Sequence, residues 1–142
     1  MEYQWFPFSD ERVAQAHALR REVFVDEQGF ALEDDLDEQD KTCLHVLGVM
    51  PQGPVCCARV FWQAPGVLHV GRVCVRRTLR GQGVGGALMR EILRKAQALG
   101  AHRVELGAQC GKEGFYETLG FQTFGERFLD AGAWHIAMRL EL

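Results

Sequence analysis

The order of hydrophobic and polar residues along the chain switches between two periods, and each switch marks a predicted change between strand and helix. Apolar residues at helical spacing from Val84 to Leu99 predict a helix, which Gly100 is placed to end. A β-rich run from Val67 to Val75 precedes this helix, and Met50 to Gly53 is a turn-rich connector typical of a hairpin. The other predicted strands are Tyr3 to Phe8, Cys43 to Val49, Pro54 to Trp62, His102 to Ala108, Phe121 to Glu126 and Trp134 to Leu142, and the other predicted helices are Asp10 to Val25 and Glu113 to Leu119.

Strands therefore precede and follow each predicted helix, without an internal repeat or a low-complexity linker. This order predicts a mixed α/β (α+β) fold in which helices pack on a sheet. A chain of 142 residues, 47% of them hydrophobic, can bury one sizeable core and has no room for two. We expect one domain over residues 1–142.

Charge and cysteine usage argue against several classes of protein. Lys and Arg number 16 against 19 Asp and Glu, a net charge of −3, so no global positive field favours nucleic-acid binding. The chain has no basic, apolar leader and no apolar run of membrane length, which predicts a soluble, cytoplasmic protein without membrane contact. The five cysteines form no metal-binding or disulfide pattern, so we predict reduced thiols and no metal site.

A strongly acidic segment follows the first predicted helix. Asp26 to Lys41 is polar, and Glu33 to Asp40 holds six acidic residues, too many charges for a buried element. We expect an exposed loop or short helix. A solvated, charged loop is the commoner meaning of such a segment, and recruitment of a cationic amine is the alternative.

The densest motif is the glycine turn, defined here as Arg80 to Gly86, in which four of seven residues are glycine between a strand and a helix. Glycines let the backbone approach an anion closely, and the helix that follows offers unpaired N–H groups and the positive end of its dipole. Arg76 and Arg77 crowd the entrance together with Arg80, as a ligand with several phosphate charges requires. We therefore predict a pyrophosphate-binding turn, with a tight turn that binds nothing as the alternative.

Two other phosphate-binding motifs fit this turn less well. Gly81, Gly83 and Gly86 satisfy G-x-G-x-x-G, but in dinucleotide-binding folds the strand runs directly into the first glycine and opens the domain. Here Arg76 to Arg80 intervene, and half of the chain comes first. A nucleotide triphosphatase loop would need Gly-Lys-Ser/Thr, which does not follow.

Several segments of the chain resemble one known family. The GNAT superfamily of acyl-CoA-dependent N-acyltransferases is similar in Gly71 to Val75, Arg80 to Leu88 and Phe115 to Phe121. Its small bacterial YjcF-like and ElaA-like branch is also similar in Arg20 to Gln28, Gly107 to Gln109 and Phe128 to His135. The resemblance implies a mostly antiparallel central sheet flanked by helices, with a splayed strand pair that forms the acyl-CoA cleft.

The resemblance also implies acetyl-CoA as the co-substrate. Backbone amides of the glycine turn would bind its pyrophosphate, and a bulge in the preceding strand would free backbone groups for the pantetheine arm. The coenzyme-binding residues implied in this way are Val73, Cys74, Val75, Arg80, Gly81, Gln82, Gly83, Val84, Gly85, Gly86 and Phe115. Cys74 could also carry the acyl group in a ping-pong route, but no adjacent base can be named, so a buried structural thiol is favoured.

Acyl transfer from a thioester to an amine needs a base for the amine and an acid for the departing thiolate. The resemblance implies that Tyr116 protonates the sulfur and that His135, at the start of the last strand, accepts the amine proton. Packing and a structural hydrogen bond are the respective alternatives, and a water chain that ends at another group is the alternative base. Strict alternation would point His135 away from Ile136, Met138 and Leu140.

Residues for the acceptor are implied only by the resemblance. Arg72 matches an arginine that contacts an anionic acceptor in a glyphosate-type acetyltransferase, although it could instead pair with an acid. Gln109 and Val25 replace other arginines of that site, which argues against a doubly anionic acceptor. Glu27 and Gln28 are further acceptor-site candidates.

The predicted function is that of an acetyl-CoA-dependent N-acetyltransferase, which transfers the acetyl group to the primary amine of a small molecule within a ternary complex. The alternative is an acyl-CoA-binding sensor or interaction module of the same fold without turnover. No nucleic-acid or membrane partner is expected, and a homodimer remains open.

Overall fold

Seven strands form one sheet in the computed structural model, which describes residues 1–142. In chain order they are β1 (Glu2–Pro7), β2 (Leu44–Met50), β3 (Gly53–Ala64), β4 (Val67–Val75), β5 (Arg103–Gln109), β6 (Gln122–Asp130) and β7 (Ala133–Glu141). They stand in the order β1-β2-β3-β4-β5-β7-β6, and every neighbouring pair is antiparallel except β4 and β5. The predicted mixed, mostly antiparallel sheet is confirmed.

Helices cover both faces of this sheet. They are α1 (Val13–Arg20), which continues as a π-helical segment (Arg21–Glu27), α2 (Leu32–Asp35), α3 (Val84–Ala98) and α4 (Glu113–Glu117), with 3₁₀ turns at Glu38–Thr42 and Arg77–Leu79. No helix has both the length and the apolar character needed to cross a bilayer.

Each face of the sheet carries its own hydrophobic core, because successive side chains of a strand point to opposite sides. Leu88 and Ile92 of α3 are fully buried on one face, and Leu19 of α1 is buried on the other. The adjacent Cys56 and Cys57 of β3 divide between these two cores. The sheet is thus a central layer between α1 and α3.

The sheet opens between β4 and β5. These two parallel strands pair only as far as Val70 and Leu106, after which β5 continues alongside β7 alone. Arg72 adopts a left-handed backbone conformation with φ 52°, and the pairing of β4 with β3 shifts register at this point. The bulge and the splayed strand pair that the resemblance implies are therefore present.

Element boundaries agree closely with the sequence pattern, apart from the first helix and one strand. The predicted helix over Asp10 to Val25 begins later, because the Asp10 carboxylate accepts the backbone N–H of Arg12 at 2.9 Å and closes a turn. Regular α-helix starts at Val13 and gives way to the π-helical segment before the predicted end. Strand β6 continues to Asp130, beyond its predicted end.

The acidic segment contains a short helix, as one of the two predicted forms, and Glu33, Asp34, Asp37 and Glu38 are exposed. The prediction from composition is wrong for Asp35 and Asp40, which are only 3% and 2% exposed. Three arginines, Arg20, Arg59 and Arg72, form ion pairs with the carboxylates of this segment. A carboxylate can be buried at tolerable cost when it is paired and hydrogen-bonded, and composition does not reveal such partners.

Candidate active site

A cavity of about 410 Å³ lies at the splay between β4 and β5. Strands β3, β4, β5, β6 and β7 contribute to its wall, together with α4, the π-helical segment and the acidic segment. Its lining includes Phe24, Phe30, Asp34, Asp35, Asp37, Arg59, His69, Arg72, Val73, Gln109, Lys112, Tyr116, Phe128, Asp130 and His135. Of the predicted site residues, Tyr116, His135, Val73, Arg72 and Gln109 thus share one wall.

Tyr116 brings a phenol to this cavity from the short helix α4. Its ring packs edge to face on Phe115 and Phe121, with ring centroids 5.0 and 6.0 Å away. Burial raises the pKa of Tyr116 to about 12. The hydroxyl therefore keeps its proton at neutral pH, which is the state that a general acid requires.

His135 brings an imidazole to the same cavity from the beginning of strand β7, where it pairs with Gln109 of β5. Its Nδ1 lies 2.9 Å from the carbonyl oxygen of Ala133. A carbonyl can only accept, so Nδ1 carries the proton and Nε2 presents a lone pair. The ring stacks on Phe128 at a centroid distance of 5.7 Å, which fixes its plane. This arrangement suits a general base.

The glycine turn forms the N-terminus of α3. Gly83, the residue before the helix, has φ +81°, a conformation that costs little only for glycine. A Cβ on Gly85 would lie 3.3 Å from the Phe115 ring and 3.5 Å from the Val75 side chain. The first intrahelical bond runs from the Ala87 amide to the Gly83 carbonyl, so the preceding amides are available to an anion. The turn fits a phosphate and adjoins α4.

Arg80 and Glu27, which the resemblance gives to different ligands, bind each other. The Arg80 guanidinium forms a bidentate pair with the Glu27 carboxylate, one arm at 2.8 Å, and its Nε donates to the Val75 carbonyl at 3.0 Å. Gln28 accepts a 3.0 Å hydrogen bond from Gln109. Glu27 and Gln28 therefore buttress the site from the π-helical segment rather than line the cavity.

Arg72 is held by the acidic segment. It donates to the backbone carbonyls of Asp35 and Asp34 at 3.1 and 2.8 Å and to the Asp37 carboxylate at 3.2 Å. Of the two alternatives drawn from the sequence, pairing with acids is the one seen in the structure.

Arg20 and Arg59 complete a cluster that we call the arginine–aspartate network, which contains Arg20, Arg59, Arg72, Asp35, Asp37 and Asp40. Arg20 bonds Asp40 at 2.7 Å, and Arg59 bonds Asp40 at 2.9 Å. Burial would raise the pKa of Asp40, but these hydrogen bonds and charges outweigh it and hold the pKa at about 2. Two buried atoms of the network, Asp35 Oδ2 and Arg59 Nε, have no hydrogen-bond partner.

Cys74 lies away from the cavity. Its side chain belongs to the core beneath α1, and its Sγ is 3.3 Å from that of Cys57. The neighbouring Val73 lines the cavity, and Val75 faces the glycine turn. A buried structural thiol describes Cys74 better than a nucleophile.

Several wall residues carry no motif that could have revealed them. His69 donates from Nδ1 to the Gln63 side-chain oxygen at 2.7 Å, and burial lowers its pKa. Phe24 and Phe30, both in the cavity wall, pack edge to face with 6.5 Å between their ring centroids. No group of three or more His, Cys, Asp or Glu side chains is arranged to hold a metal ion.

The chain is similar in sequence to a known family and to individual bacterial proteins. Residues 10–142 match the family described as the acetyltransferase (GNAT) domain. The chain is 33% identical over 132 residues to the uncharacterized N-acetyltransferase YjcF of Bacillus subtilis, covering 92% of this chain and 93% of that protein. It is also 33% identical over 149 residues to the protein ElaA of Escherichia coli, covering 100% of this chain and 97% of ElaA.

Solved structures agree with these matches. The crystal structure of Escherichia coli ElaA has a TM-score of 0.85 and covers 99% of both chains. An acyl-CoA N-acyltransferase from Pseudomonas aeruginosa has a TM-score of 0.86 at 27% identity, over 97% of both chains. Structures at 15% and 16% identity include complexes with coenzyme A, and likeness at that level shows the common fold alone.

Proposed function

Because the chain belongs to the GNAT acetyltransferase family, we propose that it is an acetyl-CoA-dependent N-acetyltransferase that acetylates the primary amine of a small molecule. The observation that carries this proposal is the pair formed by Tyr116 and His135 in the wall of one cavity. One is a phenol that keeps its proton, and the other is an imidazole with a free lone pair on Nε2. Together they supply the acid and the base of aminolysis.

The glycine turn supports acetyl-CoA as the co-substrate. Its left-handed glycines and the free amides at the start of α3 suit a pyrophosphate, and the splay beside Val73 leaves strand backbone for a pantetheine arm. We assign coenzyme contacts to the residues predicted from the sequence except Cys74, whose side chain lies in the core beneath α1. Arg80 would act from its pair with Glu27.

These two side chains account for every proton transfer in a direct attack of the amine on the thioester. Nε2 of His135 takes one proton from the acceptor ammonium, and the neutral nitrogen attacks the thioester carbonyl carbon. The C–S bond breaks, and the departing thiolate takes the hydroxyl proton of Tyr116. The new amide nitrogen loses its second proton to the Tyr116 phenolate, so the products are the N-acetylated amine, coenzyme A and one proton released through His135.

The test is coenzyme A release from acetyl-CoA in the presence of a panel of primary amines. Tyr116→Phe should lower turnover by roughly 10²-fold, the scale expected for losing a positioned proton donor. Its stabilisation by acetyl-CoA in thermal melts should stay unchanged. Tyr3→Phe, at the other tyrosine of the chain, is the matched control and should behave as the wild type.

His135→Asn in the same assay should lower turnover and remove the part of the rate that rises with pH, without changing acetyl-CoA binding. Wild-type rates and pH profile in this variant would make His135 structural. Stabilisation by acetyl-CoA with no coenzyme A release for any amine would instead favour a sensor without turnover.

For the location and the partners of the enzyme we keep the predictions made from the sequence. We place the enzyme in the cytoplasm, as one domain over residues 1–142 that needs no metal and contacts neither nucleic acid nor membrane. A homodimer is compatible with this proposal, which uses residues of one chain only.

A further inference from the structure

His69 lies in the cavity wall but has no part in the reaction described above. It stands on β4 at the closed end of the splay, because the next residues along β4 and β5, Val70 and Leu106, form the last pair between these strands. Its ring lies against Phe61 of β3, with 4.9 Å between the ring centroids. The imidazole is thus held at the end of the cavity where the two strands meet.

The proton of this imidazole is placed by two neighbouring side chains. The Glu105 carboxylate can only accept, so the amide nitrogen of Gln63 is the atom that faces it, at 3.1 Å. The Gln63 oxygen is therefore left to accept from His69 Nδ1, which lies 2.7 Å away and carries the proton. Nε2 of the neutral ring is then a hydrogen-bond acceptor.

Nε2 of His69 is open to a ligand. It has no hydrogen-bond partner within the protein, and it is not sealed from solvent as the unpartnered Asp35 Oδ2 and Arg59 Nε are. Burial lowers the pKa of His69, and the positive charge of Arg59 lowers it further. The ring is therefore neutral at pH 7, where it can accept a hydrogen bond and offers no charge to an anion.

His69 and His135 stand on the same face of the sheet. Strand β5 pairs with both of their strands, so that His69 lies opposite Glu105 and His135 lies opposite Gln109. These two partners are four residues apart on β5, which puts them on one face and roughly 13 Å apart along the strand. A hydrogen bond at each end takes up about 3 Å, so roughly 7 Å remains for the ligand itself.

The wall between the two histidines is apolar or lacks a side chain. The Phe128 ring, which stacks on His135, also lies over Gly107, where a Cβ would come within 3.1 Å of it. On β4, Gly71 is the residue that follows His69 on the same face, and it also lines the cavity. An alkyl chain suits such a surface, because it has no polar group that would lose its hydrogen bonds there.

We infer that His69 determines acceptor specificity by accepting, at Nε2, a hydrogen bond from a hydroxyl group at the far end of an alkyl primary amine, whose amino group is acetylated beside His135 and Tyr116. This inference rests on the proposed function and names its substrate class, the amino alcohols. The far group must be a donor, since an oxygen that only accepts would face the lone pair of Nε2.

The test compares three primary amines that share a six-carbon arm and differ only at the far end: 6-amino-1-hexanol, its methyl ether 6-methoxyhexylamine, and n-heptylamine. Only the alcohol can donate to Nε2. A neutral hydrogen bond should give it a kcat/KM roughly 3- to 10-fold above that of n-heptylamine. The ether, which accepts but cannot donate, should be no faster than n-heptylamine.

His69→Phe keeps an aromatic ring beside Phe61 and removes the acceptor nitrogen. The ratio of kcat/KM for the alcohol to that for n-heptylamine should fall to within about twofold of unity, because the hydrogen bond is lost. His102→Phe is the matched control, since His102 is exposed and lies outside the cavity wall, and it should keep the wild-type ratio.

Gln63→Met tests the proton placement without touching His69. Gln63 is exposed, so the fold should tolerate the change even if His69→Phe does not fold. Without the Gln63 oxygen, either nitrogen of His69 can carry the proton, and a protonated Nε2 can donate to the ether. The ratio of the alcohol to the ether should therefore fall, a change that a purely structural role of His69 does not predict.

The outcomes separate the two proposals. Turnover of n-heptylamine or the ether as fast as that of the alcohol overturns the inference about His69 and leaves the acetyltransferase activity standing. An unchanged alcohol preference in folded His69→Phe, or turnover of other primary amines but none of these three, does the same. Binding of acetyl-CoA without turnover of any amine overturns the acetyltransferase proposal and the inference with it.

Discussion

The glycine turn and the cavity at the splay of β4 and β5 are built in opposite ways. The turn is made of consecutive residues, and the groups that we propose for phosphate binding are backbone amides exposed by left-handed glycines at the start of α3. The cavity is made of side chains from distant parts of the chain. Gln109 in its wall is held by a 3.0 Å hydrogen bond to Gln28, which is 81 positions away.

The turn and the cavity differ in the substitutions that they tolerate. Backbone amides are present whatever side chains surround them, so the turn depends on the conformation of a few glycines. The cavity depends on buried charges that cancel each other, and removing one partner leaves another buried and unpaired. Substitutions in the turn and in the arginine–aspartate network therefore test the two sites separately.

The largest effect is expected from Gly83→Asp. The side chain would require a strained left-handed conformation and would place a negative charge among the amides proposed to hold phosphate. Acetyl-CoA should then give no stabilisation in thermal melts at concentrations that saturate the wild type. Gly100→Asp, at the other end of α3 with φ +86°, carries similar strain away from the turn and should keep the response.

An undiminished thermal response in folded Gly83→Asp would remove the glycine turn from the coenzyme site. A lost response in Gly100→Asp would show that backbone strain alone explains the effect.

Arg20→Met removes one arginine from the arginine–aspartate network and should destabilise the fold. Arg20 is 1% exposed and pairs with Asp35 at 3.2 Å and Asp40 at 2.7 Å. Loss of one partner from a buried ion pair typically costs about 3–5 kcal/mol of unfolding free energy. Urea unfolding measures this directly.

Arg94→Met is the matched control, because Arg94 is 62% exposed and pairs with Glu91 on the surface of α3. Pairs of that kind are worth about 0–1 kcal/mol. Folded Arg20→Met should still be stabilised by acetyl-CoA, since the turn is built without the network. Equal losses of unfolding free energy in the two variants would show that the network stabilises the fold no more than a surface ion pair does.

The smallest expected effect is a loss of unfolding free energy at acidic pH. The pKa of Asp40 is about 2 in the folded protein, below its ordinary value of 3.8. Because the folded state holds its proton less tightly, the stabilisation is present above about pH 4 and lost as the pH falls towards about 2. A shift of this size corresponds to about 2 kcal/mol.

Urea unfolding at a series of acidic pH values measures this loss. Arg20→Met should flatten the profile, because Asp40 then loses one of the two arginines that depress its pKa. An identical slope in the variant and the wild type would place the acid sensitivity elsewhere.

Much of the fold, and some of the residues that line the candidate site, could be predicted from the sequence, because the relevant physics is local. The periodicity that defines α3, the turn before β3 and the need for glycine at the start of α3 all involve residues within a few positions of one another. Such local features are determined by neighbours in the chain. The splay at β4 and the roles of Tyr116 and His135 came from family resemblance instead.

The rest was decided only by the tertiary structure. Composition predicted that Asp35 and Asp40 would be solvated, whereas folding brings three arginines from α1, β3 and β4 against them. The same long-range packing pairs Arg80 with Glu27 and places His69 in the cavity wall. A charged side chain is buried or free according to the partners that it meets, and residues far apart in sequence become partners only when the sheet is assembled.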